Sequence, residues 1–185
     1  MAIHSNLLPS KIYLQDYSGD YTRFIDAVYK VFEKDFVKYH PYFGKYRLGL
    51  KYHPKFQDRA YTFYHMTHKG DIESERIPDL RRCECMPWGK PTVEKTREYS
   101  LKFWEQERKD KHRICIRLAT EDDVDYFFIL EVRKTFVLPW TAFVAEHSHE
   151  VHKKEKEYNK NFSYNWRNHF RNHYTYSNFH IDCSF

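Results

Sequence analysis

Arg113-Ile114-Cys115-Ile116-Arg117-Leu118, Tyr126-Phe127-Phe128-Ile129-Leu130-Glu131-Val132 and Phe136-Val137-Leu138-Pro139-Trp140-Thr141-Ala142-Phe143-Val144 follow one another closely, each run rich in β-branched and aromatic residues. The acidic turn Glu121-Asp122-Asp123 separates the first two, and Arg133-Lys134-Thr135 separates the last two. Connections this short join antiparallel strands, since a parallel pair needs a long crossover. The stretch therefore predicts an antiparallel meander. Pro139 has no N–H for a ladder, which places a bulge or an edge in the last strand.

Upstream of the meander, Tyr21, Phe24, Ile25, Val28, Phe32 and Phe36 recur at spacings of three and four. They share one face of a helix over 21–39, with Asp20 as its N-cap and Pro41 and Gly44 ending it. Strands are expected over 46–52 and over 60–66, the second closing at Gly70. A long ordered loop is expected over 71–90, pinned in part by Trp88 and two cysteines, because it carries charge, Pro78, Pro87 and Gly89 without a period. A second helix is expected over 91–109, with Pro91 in its first turn and a weakly apolar face that includes Trp104. A charged helix follows over 149–160. The expectation is an α+β fold: a four- or five-stranded antiparallel sheet packed against N-terminal helices. The domain is expected to span 1–160, ahead of a polar tail over 161–185 rich in Asn, His, Tyr and Phe.

A chain of 185 residues suffices for one domain with a real core. Aromatics make up 19% of it, so Tyr and Phe do much of the core filling. Charged residues make up 31%, and no apolar run approaches a membrane span. Residues 1–6 lack a basic region followed by an apolar one, so a cytoplasmic compartment is expected. Cys83, Cys85, Cys115 and Cys183 form no disulfide framework, and Cys83-x-Cys85 is too close for zinc-knuckle spacing. Reduced structural thiols and no metal are the reading. The formal charge is +5 with twelve histidines neutral. Residues 81–117 hold eleven Lys/Arg and six Asp/Glu, enough to supply that whole excess. Such a balance suits a polyanionic partner, though a solvated basic face would look the same.

Three constellations carry chemistry. His65, in Phe63-Tyr64-His65-Met66-Thr67-His68-Lys69-Gly70, has an intrinsic pKa suited to acid–base work; a buried imidazole in an aromatic cluster is the alternative. Arg76, Arg81 and Arg82 can bind phosphate and stabilise charge developing on a phosphoryl group. Alternatively they pair with nearby carboxylates, Arg76 with Asp79 above all. Thr141, beside Trp140 in the last strand, can orient a phosphate or a ribose hydroxyl. Together these groups meet the needs of RNA cleavage by internal transphosphorylation, without metal or cofactor. Aromatics such as Trp88 and Trp140 can stack exposed bases.

Phe63-Tyr64-His65-Met66-Thr67, Pro78-Asp79-Leu80-Arg81-Arg82-Cys83, Pro87-Trp88, Tyr126-Phe127-Phe128-Ile129-Leu130 and Trp140-Thr141-Ala142-Phe143 before a Lys-rich helix carry a resemblance. Over about 21–158 the chain resembles bacterial proteins of prophages and mobile elements. Its layout is similar to the barnase–EndoU–colicin–RelE superfamily of ribonucleases. The resemblance implies N-terminal helices before a four-stranded antiparallel sheet. It also implies His65 as acid or base, Arg76, Arg81 or Arg82 as phosphate binders, and Thr141 on the active face. RNA is then the expected partner, with an antitoxin or host protein as a further one. Two alternatives use the residues differently. His65-Met66-Thr67-His68 and His173-Tyr174-Thr175-Tyr176 resemble the paired motifs of two-histidine phosphoesterases, which sit on adjacent strands. A non-enzymatic phage-borne accessory or inhibitor protein would need only an exposed aromatic or basic face. Geometry discriminates, because a nuclease requires His65, an arginine and Thr141 to converge in one cleft.

Overall fold

A computed structural model of the chain describes residues 2–70, 72–108 and 111–165. Helix α1 (Tyr21–Phe32) begins at Asp20, whose carboxylate accepts the Arg23 N–H at 3.1 Å. It runs on into a wider π turn over Glu33–Lys38, so helical backbone covers the expected span almost to its end. Phe24, Ile25, Val28, Phe32 and Phe36 are all buried, as their spacing requires. A two-residue hairpin follows, β1 (Tyr42–Phe43) with β2 (Tyr46–Arg47). The strand expected over 46–52 thus stops at Arg47, and Leu48 makes an isolated parallel bridge to Val137 instead.

The segment expected as a strand over 60–66 is a helix, α2 (Tyr61–Thr67), and every one of its residues is buried. A short helix enclosed on all sides shows no polar face, and an aromatic run of that length cannot be told from a strand by period. The loop expected over 71–90 is instead a chain of short elements. The pair β3 (His68–Lys69) and β4 (Ile77–Pro78) brackets a 3-10 turn at Glu73–Glu75. Then come α3 (Leu80–Glu84), capped by Asp79, a 3-10 turn at Met86–Trp88, and α4 (Gly89–Glu94). The helix expected over 91–109 ends at Glu94, and its second half is strand β5 (Lys102–Arg108). Along β5, Trp104 and Gln106 are buried, Glu105 between them is half-buried and Glu107 beyond them faces solvent, a period of two.

Strands β6 (Lys111–Ala119), β7 (Asp125–Val132) and β8 (Val137–Val144) form the expected meander, and β5 completes a four-stranded antiparallel sheet of order β5-β6-β7-β8. The fold is α+β. One sheet face meets α1 and α2 through Ile114, Ile116, Phe128 and Leu130. Helix α5 (Ser148–Asn165) covers Trp104, Cys115, Phe127 and Ile129 on the other. Because α5 runs past 160, the boundary expected there falls inside a helix; the tail from 166 onward lies outside the described residues.

Pro139 does mark a bulge. Ile129 faces Thr141, the next pair is Leu130 with Pro139, and Trp140 is the extra residue. Strand β8 is also an edge, partly covered where the Gly49 N–H donates to the Val137 carbonyl at 2.9 Å. On the opposite edge, the Asn161 side chain donates to the Glu105 carbonyl of β5 at 2.9 Å. Cys83, Cys85 and Cys115 are buried free thiols, each pushed up to about 12 by burial. Among the described residues no helix is long and apolar enough to cross a membrane.

Candidate functional site

Helix α2 is clamped at both ends. The Thr62 hydroxyl accepts the Lys51 N–H at 2.9 Å, and the Thr67 carbonyl accepts the Asp79 N–H at 2.9 Å. This holds His65 against β8, its ring 4.4 Å from that of Tyr61 and 5.2 Å from that of Trp140. The Arg76 guanidinium approaches His65 Nδ1 at 3.3 Å. An arginine can only donate, so Nδ1 is the acceptor and the ring proton sits on Nε2. Nε2 is itself buried, with no hydrogen-bond partner among the described residues. Burial pushes His65 down to about 4, and the Arg76 charge adds to the effect. The imidazole is neutral at pH 7.

Arg82 ties α2, α3 and β8 together. Its Nη1 donates to the His68 carbonyl at 2.9 Å and to Thr141 Oγ1 at 3.1 Å, while Nε lies 3.4 Å from the Asp79 carboxylate. The Thr141 hydroxyl in turn donates to the His65 carbonyl at 3.3 Å. Burial lowers the Arg82 pKa, opposed by Asp79. Asp79 is shared with Lys69 at 3.5 Å, so the pairing of Arg76 with Asp79 does not form. Trp140 carries two further cations over its ring, Arg113 at 4.4 Å and Lys111 at 5.1 Å.

Five residues singled out by type, His65, Arg76, Arg82, Thr141 and Trp140, therefore meet in one place. They meet in packed interior rather than an open cleft, since His65 is only 4% exposed. Arg81 and Trp88 are not part of the cluster. Arg81 is exposed on α3, beside Glu84. Trp88 is buried, donates its indole N–H to the Pro9 carbonyl at 3.0 Å, and packs on Tyr126. The second motif of the phosphoesterase reading, at 173–176, lies outside the described residues, and the first begins on a helix rather than a strand.

Tyr61, His68, Lys51, Lys111 and Arg113 belong to the site and escaped sequence reasoning. Helical phase would have found Tyr61, four residues before His65. The His68 ring lies tilted against that of Tyr64 at 4.4 Å and is held down at about 4 by burial. Lys51 sits 3.7 Å above the Tyr61 ring. Elsewhere, a pocket of about 320 Å³ is lined by Lys102, Arg117, Thr120, Asp125 and Glu155 among others. Its guanidinium is already engaged, by Asp125 at 2.6 Å and Glu155 at 2.7 Å. Among the described residues no His, Cys, Asp and Glu side chains gather to hold a metal ion. The chain matches no family model, no curated protein and no solved structure.

Proposed function

We propose that this chain is a toxin-like cytoplasmic endoribonuclease that cleaves RNA by internal transphosphorylation without a metal ion. The observation that carries the reading is the meeting of His65, Arg76, Arg82 and Thr141, drawn from four separate segments. When Arg76 turns onto a phosphate, the His65 Nδ1 lone pair is released to take the ribose 2′-hydroxyl proton. The 2′-oxygen attacks phosphorus, the bond to the 5′-oxygen breaks, and a 2′,3′-cyclic phosphate forms. Arg76 and Arg82 hold the charge on the phosphoryl oxygens. The imidazolium has a depressed pKa, so it readily returns its proton to the departing 5′-oxygen. Substrate reaches His65 only if the strap over 72–78, which carries Arg76, moves aside.

Incubation of the purified protein with total RNA in EDTA, beside His65→Ala and Thr141→Val, tests this reading. Expected are products ending in 2′,3′-cyclic phosphate and a loss of about 100-fold or more in His65→Ala. A fully active His65→Ala removes His65 from the chemistry. The burial of His65 favours a second reading, a non-enzymatic protein that binds nucleic acid or a host protein. Absence of cleavage from all three proteins would make that the leading one.

A further inference from the structure

Helix α5 keeps its carboxylates engaged and off its most exposed face. Glu150 accepts the backbone N–H groups of Glu146 and His147, at 2.7 and 3.2 Å. Glu155 binds Arg117, and Glu157 takes the Gln106 amide and Lys154. All three are half-buried. The exposed face keeps His149, His152, Lys153, Lys156 and Lys160, at the spacings of three and four that align side chains on one side of a helix. Lys153 and Lys156 form no ion pair among the described residues. The stripe covers roughly 16 Å of helix axis.

We propose that this face of α5 is a docking surface for the sugar–phosphate backbone of single-stranded RNA. An amphipathic helix that binds an anionic membrane sets bulky apolar side chains beside its lysines to enter the acyl boundary. The exposed positions from His149 to Lys160 hold only His, Lys and Asn, so the face offers charge and hydrogen bonds and nothing to insert. Phosphates recurring along a flexible strand satisfy such a stripe without base readout. The surface lies outside the His65 cluster, and its binding does not depend on cleavage.

The probe is a fluorescein-labelled 20-nucleotide RNA with 2′-O-methyl groups, which binds but cannot undergo transphosphorylation. Anisotropy is measured against salt for the native chain, for Lys153→Glu/Lys156→Glu, and for Lys34→Glu/Lys38→Glu. The last pair, called the α1 pair below, makes the same change of charge on the exposed side of the π turn that continues α1. Expected for the α5 pair is at least a tenfold loss of affinity in 100 mM salt. The log–log salt slope should shrink by about 1.4, or 0.7 for each phosphate contact. The α1 pair and His65→Ala should bind within about twofold of the native chain. Equal loss from both charge-reversed pairs would reduce the effect to net charge and overturn the proposal. So would undiminished RNA binding by the α5 pair, including the case where that pair loses only binding to phosphatidylserine vesicles. Loss of cleavage in His65→Ala with binding retained separates this surface from the catalytic reading.

Discussion

Thr141 sits between a helix and an arginine, accepting from Arg82 and donating to the His65 carbonyl. Valine keeps its shape and removes both bonds. Thr141→Val should lower the free energy of unfolding in urea by about 1–2 kcal/mol, because a carbonyl and a guanidinium lose partners away from water. An unshifted midpoint would mean that neither bond contributes. Arg82→Met should be worse, by about 3 kcal/mol, since the buried Asp79 carboxylate loses its guanidinium partner and is left with Lys69 as its cation. Residue type singled out His65, Arg76, Arg82 and Thr141 as candidates. Their proximity was not legible, because Arg82 and Thr141 lie 59 positions apart and Thr141 and His65 lie 76 apart. The adjacent Arg81 and Arg82 looked equivalent until the phase of α3 sent one outward and the other in.

Among the elements, helix α1 has one wet and one dry face and shows its period in the open. Strands β6, β7 and β8 are buried on both faces along much of their length and were legible instead as β-branched and aromatic runs joined by short turns. Helix α2 buries all of its residues and so displays no period, and aromatic content drew it toward strand. The span over 91–109 mixes a short helix with a strand, and its sparse apolar residues fit either period loosely. Helix α4 also shows how closely these short elements pack. A Cβ on Gly89 would lie 2.9 Å from Phe36 Cζ and 3.1 Å from Phe128 Cε2. Gly89→Ala is therefore expected to destabilise the fold by about 1–3 kcal/mol, because two core rings must shift. Thermal melts showing a stabilised variant would mean that those rings have room to move. Asp20→Ala, which removes only the α1 cap, should cost about 1 kcal/mol in the same assay.

For the molecule as a whole, two buried histidines set the response to acid. His65 and His68 titrate near 4 in the folded chain and near 6.5 when unfolded. Between those values the unfolded chain binds more protons, so stability is full above about 6.5 and falls as the pH drops toward 4. Each should remove about 2 kcal/mol between pH 7 and pH 5. Urea midpoints at the two pH values check this, and His68→Gln should show roughly half the native drop. An equal drop in His68→Gln would clear that residue of responsibility. At this scale the α+β class and the C-terminal meander were legible in the β-rich runs of the last three strands and the short turns between them, while the identity of the fourth strand was not. The two sheet margins have a further consequence. Along β8 there is a proline-centred bulge with the Leu48–Gly49 segment laid against it, and along β5 an asparagine occupies a backbone carbonyl. A second copy of the chain thus meets interrupted ladders on either side, an edge chemistry that disfavours growth of the sheet by strand addition.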